Sequence, residues 1–194
     1  MAYDFNTAGE QRSGDIIPDG TVAPVHLTIR PGNSGEGGWL KRSKAGDSMA
    51  LDCEFTVMEG PHAKRKFWSL FTVEGTTEGH SKAAEISASR IRAILESVHG
   101  IRPDDETDAA KGKRRLASWG DLDGARFVAK IGIEKGKHGY KDKNTLAEVI
   151  TPDRKTWMKM EQPTKQTTAG FQQVGAVAAA VVDKAAAAKP AWAQ

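Results

Sequence analysis

The chain contains a single cysteine, Cys53, in 194 residues. One thiol cannot form a disulfide within the chain, and it cannot supply the several thiolates of a structural zinc site. A chain without disulfides suits a reducing compartment, so the sequence predicts a cytoplasmic location. Because Cys53 falls on the apolar side of an alternating segment, we expect it to lie in the core.

Long apolar runs are also lacking. Hydrophobic residues make up 39% of the sequence, and no run approaches the roughly 20 residues that a transmembrane helix needs. The first fifteen residues contain no apolar signal core. We therefore expect a protein with no membrane partner.

Catalytic and cofactor-binding motifs are missing as well. The chain has no Walker-type glycine loop, no dinucleotide fingerprint and no serine or cysteine in a nucleophile elbow. The acidic run at residues 104–108 lacks the spacing of a calcium loop. The histidines lack the spacing of metal ligands, and they are His26, His62, His80, His99 and His138. The sequence therefore predicts that the protein is not an enzyme and has no metal site and no cofactor.

Cations are concentrated in the middle of the chain. The formal net charge is +3, but residues 1–20 hold one cation against four anions. The basic excess therefore belongs to residues 21–160, where the alternating segments lie. A basic excess in the folded part is the distribution expected for a polyanionic partner.

Apolar residues alternate with polar ones in five segments, which predicts five β-strands. The segments are TVAPVHLTIR from Thr21, MALDCEFTVM from Met49, KRKFWSLFTV from Lys64, GARFVAKIGIE from Gly124 and TLAEVITPD from Thr145. Residues 81–100 instead repeat apolar side chains at spacings of three and four, which predicts a helix with Ser81 as N-cap and Gly100 at its end. Residues 31–48 are predicted to be a flexible loop, and residues 101–120 a polar excursion.

Three strands, one helix and two strands is the element order of the OB-fold. The sequence thus predicts a mainly β fold with one helix, an OB-like five-stranded antiparallel barrel whose helix lies between strands 3 and 4. A sandwich or a β-roll with a covering helix has the same order and stays an alternative. Composition predicts three regions: a flexible N-terminal segment at residues 1–15, the OB-like domain at residues 16–157, and a low-complexity, mostly disordered Ala-rich tail at residues 158–194.

Aromatic and basic residues lie close together at three places. A protein that holds single strands without reading their sequence needs cations for the phosphates and flat side chains for the bases. In an OB-fold the loop after the first strand, the second and third strands, and the last hairpin surround the binding face. The candidate nucleic-acid-binding residues there are Trp39, Lys41, Arg42, Lys44, Lys64, Lys66, Trp68, Lys135, Lys137, Tyr140, Lys141 and Lys143, with Arg126 and Lys130 extending the track. Solvated lysines and a packed Trp68 are the alternative interpretation.

The segment around Trp68 has two faces. Strict alternation directs Phe67 and Phe71 to the core, and it places Lys64, Lys66 and Trp68 together on the outer face. The same alternation directs Arg65 inward, so Arg65 must lie beyond the barrel rim or mark a bulge.

Residues 16–152 resemble a family of bacteriophage proteins regarded as OB-fold single-stranded-DNA-binding proteins. The resemblance lies in the IPDG opening, the hairpin FTVMEGPHAKRKFWSLF, the helix rich in Ala, Ile and Leu, and the hairpin GARFVAKIGIEKGKHGYKDKN. It implies single-stranded DNA as the partner, a role in coating and protecting DNA during replication or recombination, and the cytoplasm of a bacterial host. Many replication-type single-strand binders end in an acidic tail, whereas this chain has an Ala- and Lys-rich tail ending in KPAWAQ.

Three functions are in competition, and the least favoured of them is a preference for duplex DNA or RNA. The clusters and the resemblance favour a non-catalytic single-stranded-DNA-binding protein of a phage or prophage. The alternative is a phage protein-interaction or assembly module on the same barrel, with no physiological DNA role. Replication or recombination proteins are the candidate partners of the tail, and the sequence leaves the oligomeric state open, a homo-oligomer included.

Overall fold

The structure covers the central part of the chain. A computed structural model describes residues 6–7, 16–136 and 139–163. The chain divides into two units, residues 1–162 and 163–194, and all described helices and strands lie in the first. Most of the N-terminal segment and of the Ala-rich tail lies outside the described residues, as does Lys137.

The described residues form seven strands, two α-helices and two short 3-10 turns. The strands are β1 (Thr21–Arg30), β2 (Asn33–Ser34), β3 (Leu40–Arg42), β4 (Ser48–Val57), β5 (Lys66–Gly75), β6 (Arg126–Glu134) and β7 (Lys143–Val149). The helices are α1 (Glu78–His99) and α2 (Asp108–Lys113), and the 3-10 turns are Glu36–Gly38 and Trp119–Leu122. The prediction of a mainly β fold with one long helix between the third and fourth long strands is confirmed. None of the described helices combines the length and the apolarity that a membrane span requires.

β1 lies at the centre of a single antiparallel sheet. It pairs with β4 through residues 25–30 and with β6 through residues 21–26. β4 pairs with β5 along its other edge, and β6 pairs with β7. The long strands therefore lie in the order β5-β4-β1-β6-β7, and the short strands β2 and β3 extend the sheet beside β4.

The two outermost long strands approach each other at one point. The Ser69 hydroxyl in β5 lies 3.0 Å from the Thr145 hydroxyl in β7, and it accepts the Leu146 N–H at 3.2 Å. No ladder pairing joins β5 to β7 within their described residues, so the sheet is curled but open at this edge.

An aromatic cluster fills the inner side of the sheet. The Phe55 ring stacks on Phe67 with 5.0 Å between the centroids, and it contacts Phe71 and Phe127 at 6.2 Å. All four rings are at most 1% exposed. Burying a phenylalanine contributes about 1.5–3 kcal/mol, so this one core enforces the alternation predicted for β4, β5 and β6. The same core includes three side chains of α1, which are Ile91, Ile94 and Leu95.

The long helix begins earlier than the sequence pattern indicates. Thr77 is the N-cap, because its backbone is extended and its side-chain oxygen accepts the His80 N–H at 3.2 Å. The prediction of Ser81 as N-cap is wrong, since Ser81 lies in the first turn and donates its hydroxyl to the Thr77 carbonyl. The predicted end at Gly100 is confirmed by a φ of 68°, in the left-handed region that favours glycine.

The prediction of a flexible loop at residues 31–48 is wrong in part. β3 pairs with residues 49–51 of β4, just beyond the residues that pair with β1. Leu40 is only 3% exposed and belongs to the core, which anchors this short strand. One buried leucine among glycines and cations leaves no period-two pattern, so the sequence carries little signal for β3.

The polar residues 101–120 fold back onto the long helix. Glu96 of α1 is buried, and its Oε1 accepts hydrogen bonds from the Nε atoms of Arg92 and Arg114, both at 2.8 Å. Arg114 also donates to the backbone carbonyls of Asp105 and Arg102, at 2.6 and 3.1 Å. The basic end of this segment is thus tied to its acidic beginning and to α1.

We expect Arg114→Ala to lower the free energy of unfolding by about 2–3 kcal/mol, because it removes charge-assisted hydrogen bonds from a buried carboxylate. Arg92→Ala is the matched control, since Arg92 binds the same oxygen from a half-exposed position. We expect the control to lose under about 1 kcal/mol. Denaturant unfolding followed by circular dichroism measures both variants, and equal losses would contradict the buried role of Arg114.

Cys53 lies in the core at 1% exposure, as predicted. Burial raises the pKa of its thiol to about 12, and the charge of Asp52 adds to the effect.

We expect a thiol reagent to leave the native protein unlabelled at neutral pH and to label it fully in denaturant, as measured by mass spectrometry. The folded thiol keeps its proton to higher pH than the unfolded one, so this group makes stability fall as the pH rises above 9.0. Rapid labelling of the native protein would contradict the buried position.

Candidate nucleic-acid interface

An open groove of about 820 Å³ runs along residues 66–70 of β5 and reaches Asp52 of β4, the end of β6 and the start of β7. Five cationic side chains and two carboxylates line it, and these are Arg30, Lys41, Lys66, Arg90 and Lys143, with Asp52 and Glu134. Trp68 and Leu70 add exposed apolar surface. The groove therefore offers both positive charge and a flat ring.

Strand register brings the groove residues together. Arg30 in β1 lies opposite Asp52 in β4, and Asp52 lies opposite Leu70 in β5. Two residues further along β4, Glu54 lies opposite Trp68. Because alternate residues of a strand project to the same face, these side chains form adjacent rows on the side of the sheet that faces away from the phenylalanine core.

Trp68 presents its indole in the groove. The residue is 43% exposed, and its Nε1 donates a hydrogen bond to Glu54 at 3.1 Å. The guanidinium carbon of Arg30 lies 5.9 Å from the ring centroid, which is a cation–π contact. Leu70 follows on the same face and is 59% exposed. The groove thus holds a ring with a fixed orientation beside a second apolar side chain.

Asp52 holds two of the groove cations. One carboxylate oxygen accepts from Arg30 Nη2 at 2.5 Å, and the other accepts from Lys41 Nζ at 3.1 Å. Burial by itself would raise the pKa of Asp52, but the hydrogen bonds from Arg30 and Lys41 outweigh it and hold the pKa below its ordinary value. Asp52 is therefore ionised at neutral pH, with both oxygens in use.

Glu54 has the equivalent role two residues later. Its Oε1 accepts from Lys66 Nζ at 2.6 Å, and its Oε2 accepts from the indole N–H of Trp68. The Lys66 hydrogen bond is the main reason why the pKa of Glu54 lies below its ordinary value, and the Trp68 hydrogen bond adds to it. This carboxylate is also ionised at neutral pH, and it fixes a cation and a ring together.

Three of the predicted lysines reach the groove from distant parts of the chain. Lys41 comes from β3, Lys66 begins β5, and Lys143 begins β7, where it lies 3.2 Å from Glu134. All three lysines are exposed. The loop after the first strand, the third long strand and the last hairpin therefore each contribute a cation.

The other candidates of the first loop lie away from the groove. Trp39 is half-buried against the core, and a Cβ on Gly120 would lie 2.6 Å from its ring. Arg42 and Lys44 are exposed before β4, where Arg42 donates to the Gly46 carbonyl at 3.4 Å. Within the described part of the chain, the groove lining includes none of these three candidates.

The tip of the last hairpin carries further exposed candidates. Lys135 donates to Asp142 at 2.7 Å, and this hydrogen bond raises the pKa of Lys135. Tyr140 is 80% exposed, and Lys141 is exposed beside it. These residues lie next to Lys143 in the hairpin, outside the groove lining, and Lys137 lies outside the described residues.

Arg126 and Lys130 lie in β6, also outside the groove lining. The Arg126 N–H donates to the Gln162 side chain at 2.9 Å, and Gln162 donates back to the Arg126 carbonyl at 2.7 Å. Gln162 thereby occupies the part of the β6 edge that lies beyond the pairing with β7. Lys130 is exposed and lies opposite Val22 in β1.

The turn before β5 explains the position of Arg65. Lys64 has a φ of 67°, and its N–H donates to the Val57 carbonyl at 2.7 Å. The Val57 N–H donates to the Arg65 carbonyl at 2.8 Å, so two residues oppose one and form a bulge. The sequence predicted that Arg65 would either lie beyond the barrel rim or mark a bulge, and the structure places it in the bulge. Arg65 is therefore not part of the alternation of side chains that begins at Lys66. Lys64 itself is exposed in the turn before β5 begins, and within the described residues it does not line the groove with Lys66 and Trp68.

Three further side chains line the groove, although they were not among the predicted binding residues: Arg30, Leu70 and Arg90. Arg30 ends the first strand on its polar face, and Leu70 stands two residues after Trp68, so alternation contained a signal for both. Arg90 comes from α1, and its guanidinium lies 6.0 Å from the Phe71 ring. Its place in the groove depends on how α1 packs on β5, which no local spacing expresses.

No protein-family model matches the chain, and no curated protein matches it. Within residues 6–7, 16–136 and 139–163, no three His, Cys, Asp or Glu side chains are grouped so that they could hold a metal ion. The groove is the candidate binding site of the described residues.

Replacing Lys64 by glycine tests the turn that leads into the groove. A side chain in the left-handed region costs about 1–2 kcal/mol, and glycine loses about 0.5–1 kcal/mol more entropy on folding. We expect Lys64→Gly to raise the free energy of unfolding by about 0.5–1 kcal/mol in a denaturant titration. Ala63→Gly is the control, because Ala63 has no positive φ and should only lose stability. A loss in Lys64→Gly would contradict the left-handed turn.

Proposed function

We propose that this chain is a non-catalytic single-stranded-DNA-binding protein that uses the groove across β4, β5 and β7. The observation that carries the proposal is Trp68, a ring that is 43% exposed and held by Glu54 in a groove lined by five cationic side chains. Single strands offer phosphates to the cations and unpaired bases to the ring.

The two kinds of contact differ in strength and in salt dependence. Stacking one base on an exposed aromatic side chain contributes roughly 1–3 kcal/mol and tolerates any sequence. Contacts between lysine or arginine and phosphate release counterions, so they weaken as the salt concentration rises. Leu70 adjoins Trp68 on the same face and extends the apolar surface available to a base or a sugar. Binding is therefore expected to be salt-sensitive and independent of sequence.

An OB-like barrel is the fold that we propose for the curled sheet. Its support is the strand order β5-β4-β1-β6-β7, the position of α1 between β5 and β6, and the hydroxyl contact between Ser69 and Thr145. In an OB-fold the second and third strands form the floor of the binding face. The corresponding long strands here are β4 and β5, which carry Asp52, Glu54 and Trp68.

The biological role that we propose is that of a phage or prophage protein in DNA replication or recombination, in the cytoplasm of a bacterial host. It coats exposed single strands and protects them. The support is the resemblance of residues 16–152 to phage single-strand binders, together with the groove chemistry. Replication or recombination proteins are the proposed partners of the Ala-rich tail, most of which lies outside the described residues.

Truncating Trp68 tests the groove directly. We expect Trp68→Ala to weaken the binding of labelled oligo-dT by about 5-fold to 150-fold, because the loss of one stacked base amounts to about 1–3 kcal/mol. Fluorescence anisotropy at low and moderate salt measures the affinity. Tyr140→Ala is the matched control, since Tyr140 is exposed but lies outside the groove lining, and we expect it to lose less.

Further outcomes of these measurements distinguish a DNA site in the groove from a site in the last hairpin and from a protein-interaction module. An unchanged thermal unfolding curve for Trp68→Ala shows that a loss of affinity is not a loss of fold. A greater loss in Tyr140→Ala than in Trp68→Ala would move the site from the groove to the last hairpin. Failure of the native protein to bind oligo-dT at low salt would overturn the proposal, and a protein partner retained after nuclease treatment would then support the interaction module.

A further inference from the structure

The groove is less basic than its cations alone indicate. Asp52 and Glu54 lie on the outer face of β4, and each uses both oxygens for side chains of the groove. The cations that they hold are Arg30, Lys41 and Lys66, whose side chains are 49%, 56% and 50% exposed. Carboxylates at this position weaken the attraction of the groove for phosphates. Their position beside the exposed ring therefore indicates a role other than phosphate binding.

We propose that Asp52 and Glu54 are specificity-determining residues that make the groove select single strands over duplex DNA and other polyanions. This inference rests on the proposed function of the groove, and it deepens that function from binding to discrimination. In this role the two carboxylates lower the affinity for duplex DNA and at the same time support the binding of single strands.

The first effect of the carboxylates is on charge. Duplex DNA binds cationic side chains through its phosphates alone, because its bases are stacked inside and cannot reach Trp68. The carboxylate oxygens lie 2.5–3.1 Å from the cations of Arg30, Lys41 and Lys66, so a phosphate has to compete with an internal ion pair. Attraction by charge alone is thereby weakened for every polyanion.

The second effect is on the stacking surface. Glu54 has a side chain only 16% exposed, and it holds the indole N–H of Trp68 at 3.1 Å. Asp52 holds Arg30, whose guanidinium lies 5.9 Å from the same ring. Only a ligand with unstacked bases benefits from a ring that is fixed in this way. Both effects therefore change the ratio of affinities in the same direction, in favour of single strands.

Isosteric variants test this inference. Asp52→Asn and Glu54→Gln remove the charge and keep the size of the side chain. Each variant and the native protein are titrated by anisotropy with oligo-dT and with a duplex of equal length, at several salt concentrations.

We expect each variant to bind the duplex about eightfold more tightly at about 0.1 M salt, and its log–log salt slope to steepen by about 0.9, if one phosphate contact is gained. The corresponding gain in affinity for oligo-dT is about fivefold at most. It is smaller still because the indole of Trp68 is held less firmly in the variants. The ratio of oligo-dT affinity to duplex affinity therefore falls in both variants.

Glu148→Gln is the matched control. Glu148 is a carboxylate of β7 that pairs with Arg154 at 3.3 Å and does not line the groove within the described residues, so we expect both affinities to stay unchanged. Thermal unfolding is recorded for every variant, and Glu54→Gln, at the more exposed site, serves if Asp52→Asn loses its fold. An unchanged ratio, or equal losses for both ligands, would overturn this inference alone. Absence of oligo-dT binding by the native protein would overturn the proposed function and this inference with it.

Discussion

The alternation of side chains along β4 is the constraint on which both the core and the groove depend. Leu51, Cys53 and Phe55 lie in the core, at 1% exposure or less. Asp52 and Glu54, placed between them, must therefore lie on the outer face. A register slip of one residue would bury two carboxylates and expose three apolar side chains, so the pairing of β4 with β1 and β5 is strongly specified. The aromatic core thereby determines where the charges of the groove lie.

The same relation extends to β5, where Phe67 and Phe71 pack inward while Lys66, Trp68 and Leu70 face the groove. The ring of Trp68 stands on a strand that the phenylalanine cluster holds in place, so its position does not depend on a loop. Ion pairs with a half-exposed partner contribute only about 0–1 kcal/mol to stability. The carboxylates of β4 consequently matter less for folding than for the arrangement of the side chains that they hold.

Periodicity was sufficient to predict the long strands and the long helix, because each of them buries a continuous apolar face. It failed where a segment has only one buried anchor, as at Leu40 in β3, and where two nearby polar residues, Thr77 and Ser81, are both of a type that caps helices. It was also insufficient for Trp39. The ring of that residue packs on Gly120, about eighty residues away in the sequence, and no local pattern indicates which tryptophan will find such a partner.

The sequence by itself determined which side chains of each strand share a face, because the period of two follows from backbone geometry and the hydrophobic effect selects the buried face. It therefore placed Lys66 and Trp68 together on one surface. Only the tertiary structure decided which faces meet. Lys41 and Lys143 reach the groove and Arg126 does not, since strand register and sheet curvature set those distances. Arg30 lies over Trp68 and is held by Asp52 for the same reason: cross-strand neighbours are chosen by pairing, which sequence spacing does not encode.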